Sequence, residues 1–238
     1  MKYGVQLGQI VDVAREREPK AKFVFLTLTV KNVPGEELGA ELSRLSKAFK
    51  RLFDRAKVKR AVIGYLRALE VTYNDERDDY HPHIHVLLMV KASYFKKAEY
   101  YISQDEWTAM WQQSAKLDYK PIVDVRKVKP NPRKAKNEMD LRGAIVETAK
   151  YPTKPIEKMG KTEKQKLKVT DDLMKALKNK RQIGFGGLFK EIRKELQLED
   201  VENGDLVHID DENEESSLGV EIVAQWNWER MTYVVVEC

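Results

Sequence analysis

Apolar residues recur along this chain with two periods, and the places where the period changes mark out its elements. Residues Phe23 to Val30, FVFLTLTV, are aromatic and β-branched and run into Asn-Val-Pro-Gly, which predicts a strand ending at a turn. From Glu36 to about Ala56, Leu38, Leu42, Leu45, Phe49, Leu52 and Phe53 recur at spacings of three and four, behind Pro34-Gly35, and predict a helix with one buried face. Ala61 to Tyr73 and His83 to Lys91 read as two strands around the polar segment Asn74 to Tyr80, an antiparallel hairpin. A second helix is expected over Gln104 to Ala115, with Trp107, Met110 and Trp111 as its apolar stripe, and a strand over Ile122 to Val128. The order is β-α-β-β-α-β, an α+β arrangement. Beyond the break at Pro130-Asn131-Pro132, Glu138 to Lys150 is helical in pattern and stops at Tyr151-Pro152, because proline disfavours continuing a helix. After Pro155 the chain is Lys-rich, then helical around Asp171 to Asn179 and Leu188 to Leu198, and it closes with a hairpin from Val220 to Val236 turning near Asn227.

Composition narrows the chemistry. The single cysteine is Cys238, so neither a disulfide framework nor a cysteine-based zinc site is available, and any metal must sit on histidines and carboxylates. No run approaches the roughly 18 to 20 apolar residues of a membrane span, and no signal-peptide pattern opens the chain. A soluble, cytoplasmic protein with no membrane partner is expected. The net charge of +5 alone says little, but its distribution is uneven. Lys116 to Lys136 holds eight basic residues against Asp118 and Asp124, whereas Glu202 to Glu221 holds eight acidic residues and no Lys or Arg. The first stretch suits a polyanion and the second repels one.

Three of the four histidines fall in YHPHIHVLLMV, at alternating positions, so in a strand His81, His83 and His85 leave one face together. Neighbours two apart lie about 7 Å apart at Cα and can converge on one ion, whereas His81 and His85, at about 13 Å, hardly can. Pro82 lacks an N–H and belongs at a strand start or edge, which leaves His81 at the entrance and favours His83 and His85 as the metal pair. A divalent ion in phosphate chemistry also wants a hard oxygen ligand. A turn centred near Arg77 would set residue 70 opposite residue 84, which makes Glu70 the expected third ligand.

In AIVETAKYP, Glu147 and Tyr151 are four apart, one helical turn on the same face. A tyrosine with an ordinary pKa of about 10 is a weak nucleophile, and a metal that polarises a phosphoryl oxygen makes its target more electrophilic. Glu147 is placed to act as general base on a water or on Tyr151 itself.

HPHIHVLL, preceded by ALEVTYN and followed by VETAKY, resembles the Rep initiators of small Gram-positive rolling-circle plasmids, a branch of the HUH endonucleases. The resemblance covers about residues 20 to 155: His83-Ile84-His85 matches the His-apolar-His motif, the strand with Thr27 and Thr29 the upstream motif, and Glu147 with Tyr151 the Glu-x-x-x-Tyr helix. It implies an antiparallel, RRM-like sheet of about five strands flanked by helices, with the histidines on the central strand. It also implies Mn²⁺ or Mg²⁺ at the metal pair, nicking of single-stranded or cruciform origin DNA through a 5′-phosphotyrosine, and hydrolytic termination through the glutamate. A host helicase and polymerase are the further expected partners. On this basis residues 1–155 form the nicking domain and residues 156–238 a C-terminal extension of helices and terminal hairpin. Candidate DNA contacts are His81, Arg126, Lys127, Lys129, Arg133, Lys134, Lys150 and Lys154. Tyr100-Tyr101, remote from the motifs, are expected to be structural.

Two other classes share parts of this pattern. A non-catalytic single-stranded nucleic-acid binding module also uses β-α-β-β-α-β, but it needs no histidine cluster and shows an aromatic RNP-type strand that is missing here. A metallohydrolase built on His-x-His would draw on His208 alone for further histidines. Within the HUH group, a transposase or conjugative relaxase shares the same chemistry.

Overall fold

The computed structural model describes residues 2–128, 161–198, 224–227 and 232–235. Two compact units divide the chain, Met1–Glu202 and Asn203–Cys238. The first opens with helix α1 (Lys2–Arg17), followed by β1 (Lys22–Thr29), α2 (Gly35–Phe53), the short α3 (Ala56–Ala61), β2 (Val62–Asn74), β3 (Asp79–Val90), α4 (Gln104–Ala115) and β4 (Val123–Lys127). It continues with α5 (Glu163–Leu177), β5 (Ile183–Gly187) and α6 (Leu188–Glu195). In the second unit, β6 (Ala224–Asn227) pairs antiparallel with β7 (Thr232–Val235), so the expected terminal hairpin is present and closes at the Asn227–Thr232 pair.

The five strands of the first unit form one antiparallel sheet in the order β4-β1-β3-β2-β5. The expected α+β sheet flanked by helices is therefore the observed fold. Its fifth strand comes from residues 183–187, beyond the expected boundary at residue 155, and the compact unit runs on to Glu202.

Alternation along the strands gives the sheet two faces. On one, Val24, Leu26 and Leu28 of β1, Leu69 and Val71 of β2, and Ile84, Val86, Leu88 and Val90 of β3 pack against α2, α4 and α5. Leu38, Leu42, Leu45, Phe49 and Leu52 supply α2's buried stripe, as their spacing predicts, with Glu36 and Glu37 in its first turn and Lys50 and Arg51 in its last, complementing the helix dipole. Helix α4 starts on a capping box between Ser103 and Glu106. Its C-terminal carbonyls are satisfied from α2: Arg44 donates to the Ala115 carbonyl and Arg51 Nε to the Ser114 carbonyl at 2.7 Å. Trp111, fully buried, donates its indole N–H to the Thr29 carbonyl at 2.9 Å and so fixes α4 to the end of β1.

Among the described residues, the other face is covered at one end only. There Leu7, Ile10, Val11 and Ala14 of α1, with Phe189 and Ile192 of α6, bury Phe23, Leu66, Leu87, Met89 and Ile183. At the opposite end of this face stand the histidines.

The turn from β5 into α6 needs a glycine. Gly187 has φ +54°, and a Cβ there would lie 2.3 Å from the Ile63 carbonyl oxygen. Gly187→Ala is expected to destabilise the protein by at least about 2 kcal/mol through backbone strain and that clash. Urea unfolding followed by tryptophan fluorescence measures the loss; an unchanged midpoint would contradict it.

Candidate metal centre

Geometry begins with the β2–β3 hairpin. Asn74 Oδ1 accepts from the backbone N–H groups of Glu76 and Arg77, both at 3.0 Å, and Asp78 takes the left-handed conformation with φ 50°. The strands therefore close at Asn74–Asp79, and the register runs Thr72–His81, Val71–Pro82, Glu70–His83 and Ala68–His85. This corrects the expected pairing of residue 70 with residue 84 by one position. Paired residues point to the same side of a sheet, so a Glu70–Ile84 pair would have sent the carboxylate into the apolar core. The observed register sets it beside the histidines instead.

Pro82 also differs from expectation. It lies inside β3 rather than at its start, paired with Val71. The β1–β3 ladder ends at Thr29–His83, so Pro82 falls just past the point where an N–H would be needed on that side.

Glu70, His83 and His85 each offer one ligand atom, and the three atoms lie within 4.8 Å of one another. Glu70 Oε2 is 3.3 Å from His83 Nε2 and 3.0 Å from His85 Nε2. The other nitrogen of each ring is held: His83 Nδ1 donates to the His81 carbonyl at 3.1 Å, and His85 Nδ1 is 3.1 Å from Thr27 Oγ1. A carbonyl can only accept, so His83 carries its proton on Nδ1 and, when neutral, turns a lone pair from Nε2 towards an anionic oxygen. Only a positive species between them, a proton or a metal ion, makes that arrangement favourable. Burial pushes the Glu70 carboxyl up, but hydrogen bonding to His83 and His85 outweighs it and holds the group at about 2. Two imidazole nitrogens and one carboxylate oxygen, oriented by a carbonyl and a threonine hydroxyl, fit a divalent ion by donor type and spacing. Phe25 stacks on His85 at 5.3 Å between centroids and 13° between planes, which restrains that ring further.

His81 stands apart from this trio, half-buried, with its ring 5.4 Å from His83. Burial and the neighbouring His83 hold its pKa below the ordinary histidine value.

Of the candidate DNA contacts besides His81, Arg126 and Lys127 are described and both are exposed. Asp124 pairs with Thr27 and Arg126 with Phe25, so both point to the histidine face, where Arg126 Nε is 2.7 Å from Asp124 Oδ2. Lys127, one residue on, points to the other face, with Nζ 5.2 Å from the Phe95 ring centre. Tyr151, Glu147, Lys129, Arg133, Lys134, Lys150 and Lys154 lie outside the described residues. Thr27 is the residue at this centre whose role sequence alone does not assign, although the alternation that aligns the histidines also puts a β1 residue beside them. Among the described residues, no helix is long and apolar enough to cross a membrane.

Comparison with known proteins supplies the family. The model of a family described as replication protein matches residues 1–234. A protein named "Protein rep" from Streptococcus pneumoniae is 56% identical over 236 residues, covering 99% of this chain and 71% of that protein. A "Replication protein" from Staphylococcus aureus is 43% identical over 238 residues and the whole length of both. A "Protein rep" from Lactiplantibacillus plantarum is 45% identical over 239 residues, with 99% of this chain and 75% of the relative covered. No solved structure matches the chain. The chain therefore belongs to the Rep family of replication proteins, the rolling-circle plasmid initiators that its histidine and tyrosine motifs resemble.

Proposed function

We propose that this protein starts rolling-circle replication of a small plasmid by nicking one strand of the origin, as a metal-dependent single-strand DNA endonuclease and strand transferase. The observation that carries this reading is the convergence of Glu70, His83 and His85 on one face of the sheet, with His83 Nε2 turned to a carboxylate oxygen. Membership of the replication protein family gives that site a nucleic-acid setting.

His83, His85 and Glu70 would hold Mn²⁺ or Mg²⁺, with Thr27 and the His81 carbonyl keeping both rings in orientation. Bound there, such an ion supplies Lewis-acid polarisation of the scissile phosphate. Tyr151 is the nucleophile. Its oxygen forms a bond to phosphorus as the bond to the 3′ oxygen breaks, giving a 5′-phosphotyrosine and a 3′-hydroxyl that a polymerase extends. Glu147, four residues earlier in the sequence, takes a proton from the water that later cleaves the phosphotyrosine, so a single tyrosine suffices. Arg126, on the histidine face, offers positive charge to the DNA backbone, and single-stranded or cruciform origin DNA is the partner this set of groups serves. The transposase and relaxase readings share the chemistry, but family membership favours replication.

Incubation with a library of labelled single-stranded oligonucleotides that contains the origin, with Mn²⁺ or Mg²⁺, is expected to give a covalent protein–DNA adduct on a denaturing gel. Tyr151→Phe and His83→Ala are each expected to abolish it; binding without an adduct under either metal would contradict the proposal. Calorimetric titration with Mn²⁺ tests the site's second layer. Thr27→Val is expected to weaken Mn²⁺ binding by about 10- to 100-fold, at a stability cost of about 1 kcal/mol. Native affinity in that variant would remove Thr27 from the account.

A further inference from the structure

The segment that leaves β3, Lys91 to Tyr101, is KASYFKKAEYY, with three lysines against Glu99. Tyr94 anchors it: the side chain is fully buried, its hydroxyl donates to the Ile102 carbonyl at 3.1 Å, and Trp107 Nε1 donates to the Tyr94 hydroxyl oxygen at 3.4 Å. Two further rings lean on this anchor, Phe95 at 4.9 Å and Tyr101 at 5.7 Å between centroids, and they stand 6.3 Å from each other. Although they are held in place, Phe95 is 42% exposed and Tyr101 44% exposed.

Charge surrounds them. Lys127 Nζ lies over Phe95, Lys91 Nζ is 4.9 Å from the Tyr100 ring centre, and Lys96 and Lys97 are exposed beside Phe95 in sequence. A site for a protein partner would be expected to exclude lysine from around its aromatic residues. Fixed aromatic faces set among lysines instead suit a chain that carries both phosphates and flat bases.

Position supports the same occupant. Strand β4 is an edge of the sheet, and consecutive residues on it face opposite ways, Arg126 towards the histidines and Lys127 towards Phe95. The two cations straddle the edge. Lys127 pairs with Val24, three residues along β1 from Thr27, so the edge crossing lies about 10 Å along the sheet from the metal centre.

We propose that Phe95 and Tyr101, framed by Lys96, Lys97 and Lys127, form a base-stacking platform that holds single-stranded DNA flanking the cleavage site after it passes round the β4 edge. This rests on single-stranded DNA being the substrate of the metal centre. Tyr101 then has a binding role rather than the purely structural one expected from its place in the sequence.

Fluorescence anisotropy of the full chain at low salt tests the platform, with a labelled oligothymidine of about twenty nucleotides, long enough to span a binding groove, and an abasic phosphodiester strand of equal length. The native protein is expected to bind the oligothymidine more tightly than the abasic strand. Phe95→Leu with Tyr101→Leu, which keeps apolar bulk but removes both aromatic faces, is expected to lose about ten-fold or more in affinity for the oligothymidine and none for the abasic strand. Tyr101→Phe should bind as the native protein does, and an unchanged melting temperature in the double variant would exclude misfolding as the cause. Equal native affinity for the two strands, no binding of the oligothymidine, or an unaltered double variant would overturn the proposal. The two readings fail separately. An origin adduct formed through Tyr151 without base discrimination overturns the platform alone, and base discrimination without an adduct upholds the platform while contradicting the nicking reaction.

Discussion

The pairing of β2 with β3 decides what the sheet can do at the end that carries the histidines. Because side chains alternate faces along a strand, a slip of one residue would move Glu70 from His83 to the face of Ile84 and bury a carboxylate among leucines and valines. Short-range polar contacts hold the register. Asn74 accepts from two backbone N–H groups across the turn, Tyr73 donates to Asp78 at 2.8 Å, and Arg77 Nε reaches Asp79 at 3.0 Å. On the opposite face the buried Tyr80 donates to Asp172 of α5 at 2.7 Å, and Lys168 lies 3.0 Å from both Asp172 and Asp78, tying the hairpin to a helix nearly a hundred residues further along the chain. Burial and the bond to Asp172 raise the Tyr80 pKa, so this hydroxyl stays a donor.

The two faces divide the work of the sheet. One is covered by α2, α4 and α5 and carries the main core, while the other is covered by α1 and α6 at one end and presents Glu70, His83, His85 and Arg126 at the other. Burying Glu70 and His83 to this extent has a desolvation cost that apolar side chains would avoid. The return is orientation: each imidazole is gripped at Nδ1 and offers Nε2, and Phe25 packs flat against one of the rings.

Strongly periodic segments were legible in the sequence. The leucine stripe of α2, the tryptophans of α4 and the alternation of β1 and β3 each impose one geometry, and the same alternation picked out His83 and His85. Glu70 was picked out by its chemistry as the available oxygen donor and lies beside His83 and His85, although its expected register was one position off, because the turn length depended on Asn74 and the left-handed Asp78. Besides the six-residue α3, two elements escaped. Helix α1 buries Leu7, Ile10, Val11 and Ala14 at helical spacing, but Gly4, Gly8 and scattered polar residues dilute the pattern. Strand β5 is Ile-Gly-Phe-Gly-Gly, which has no period of its own and is a strand only because β2 offers it an edge. That pairing also carries the compact unit past the boundary drawn from the motifs alone.

The account stands on Glu70, His83 and His85 being the ligands of one divalent ion. Anomalous diffraction from crystals grown with Mn²⁺ measures this most directly. The prediction is a single strong peak on the histidine face of the sheet, about 2.1 to 2.3 Å from His83 Nε2, His85 Nε2 and a Glu70 carboxylate oxygen. A peak held by other carboxylates, with these three side chains still in mutual contact and no density between them, would contradict it.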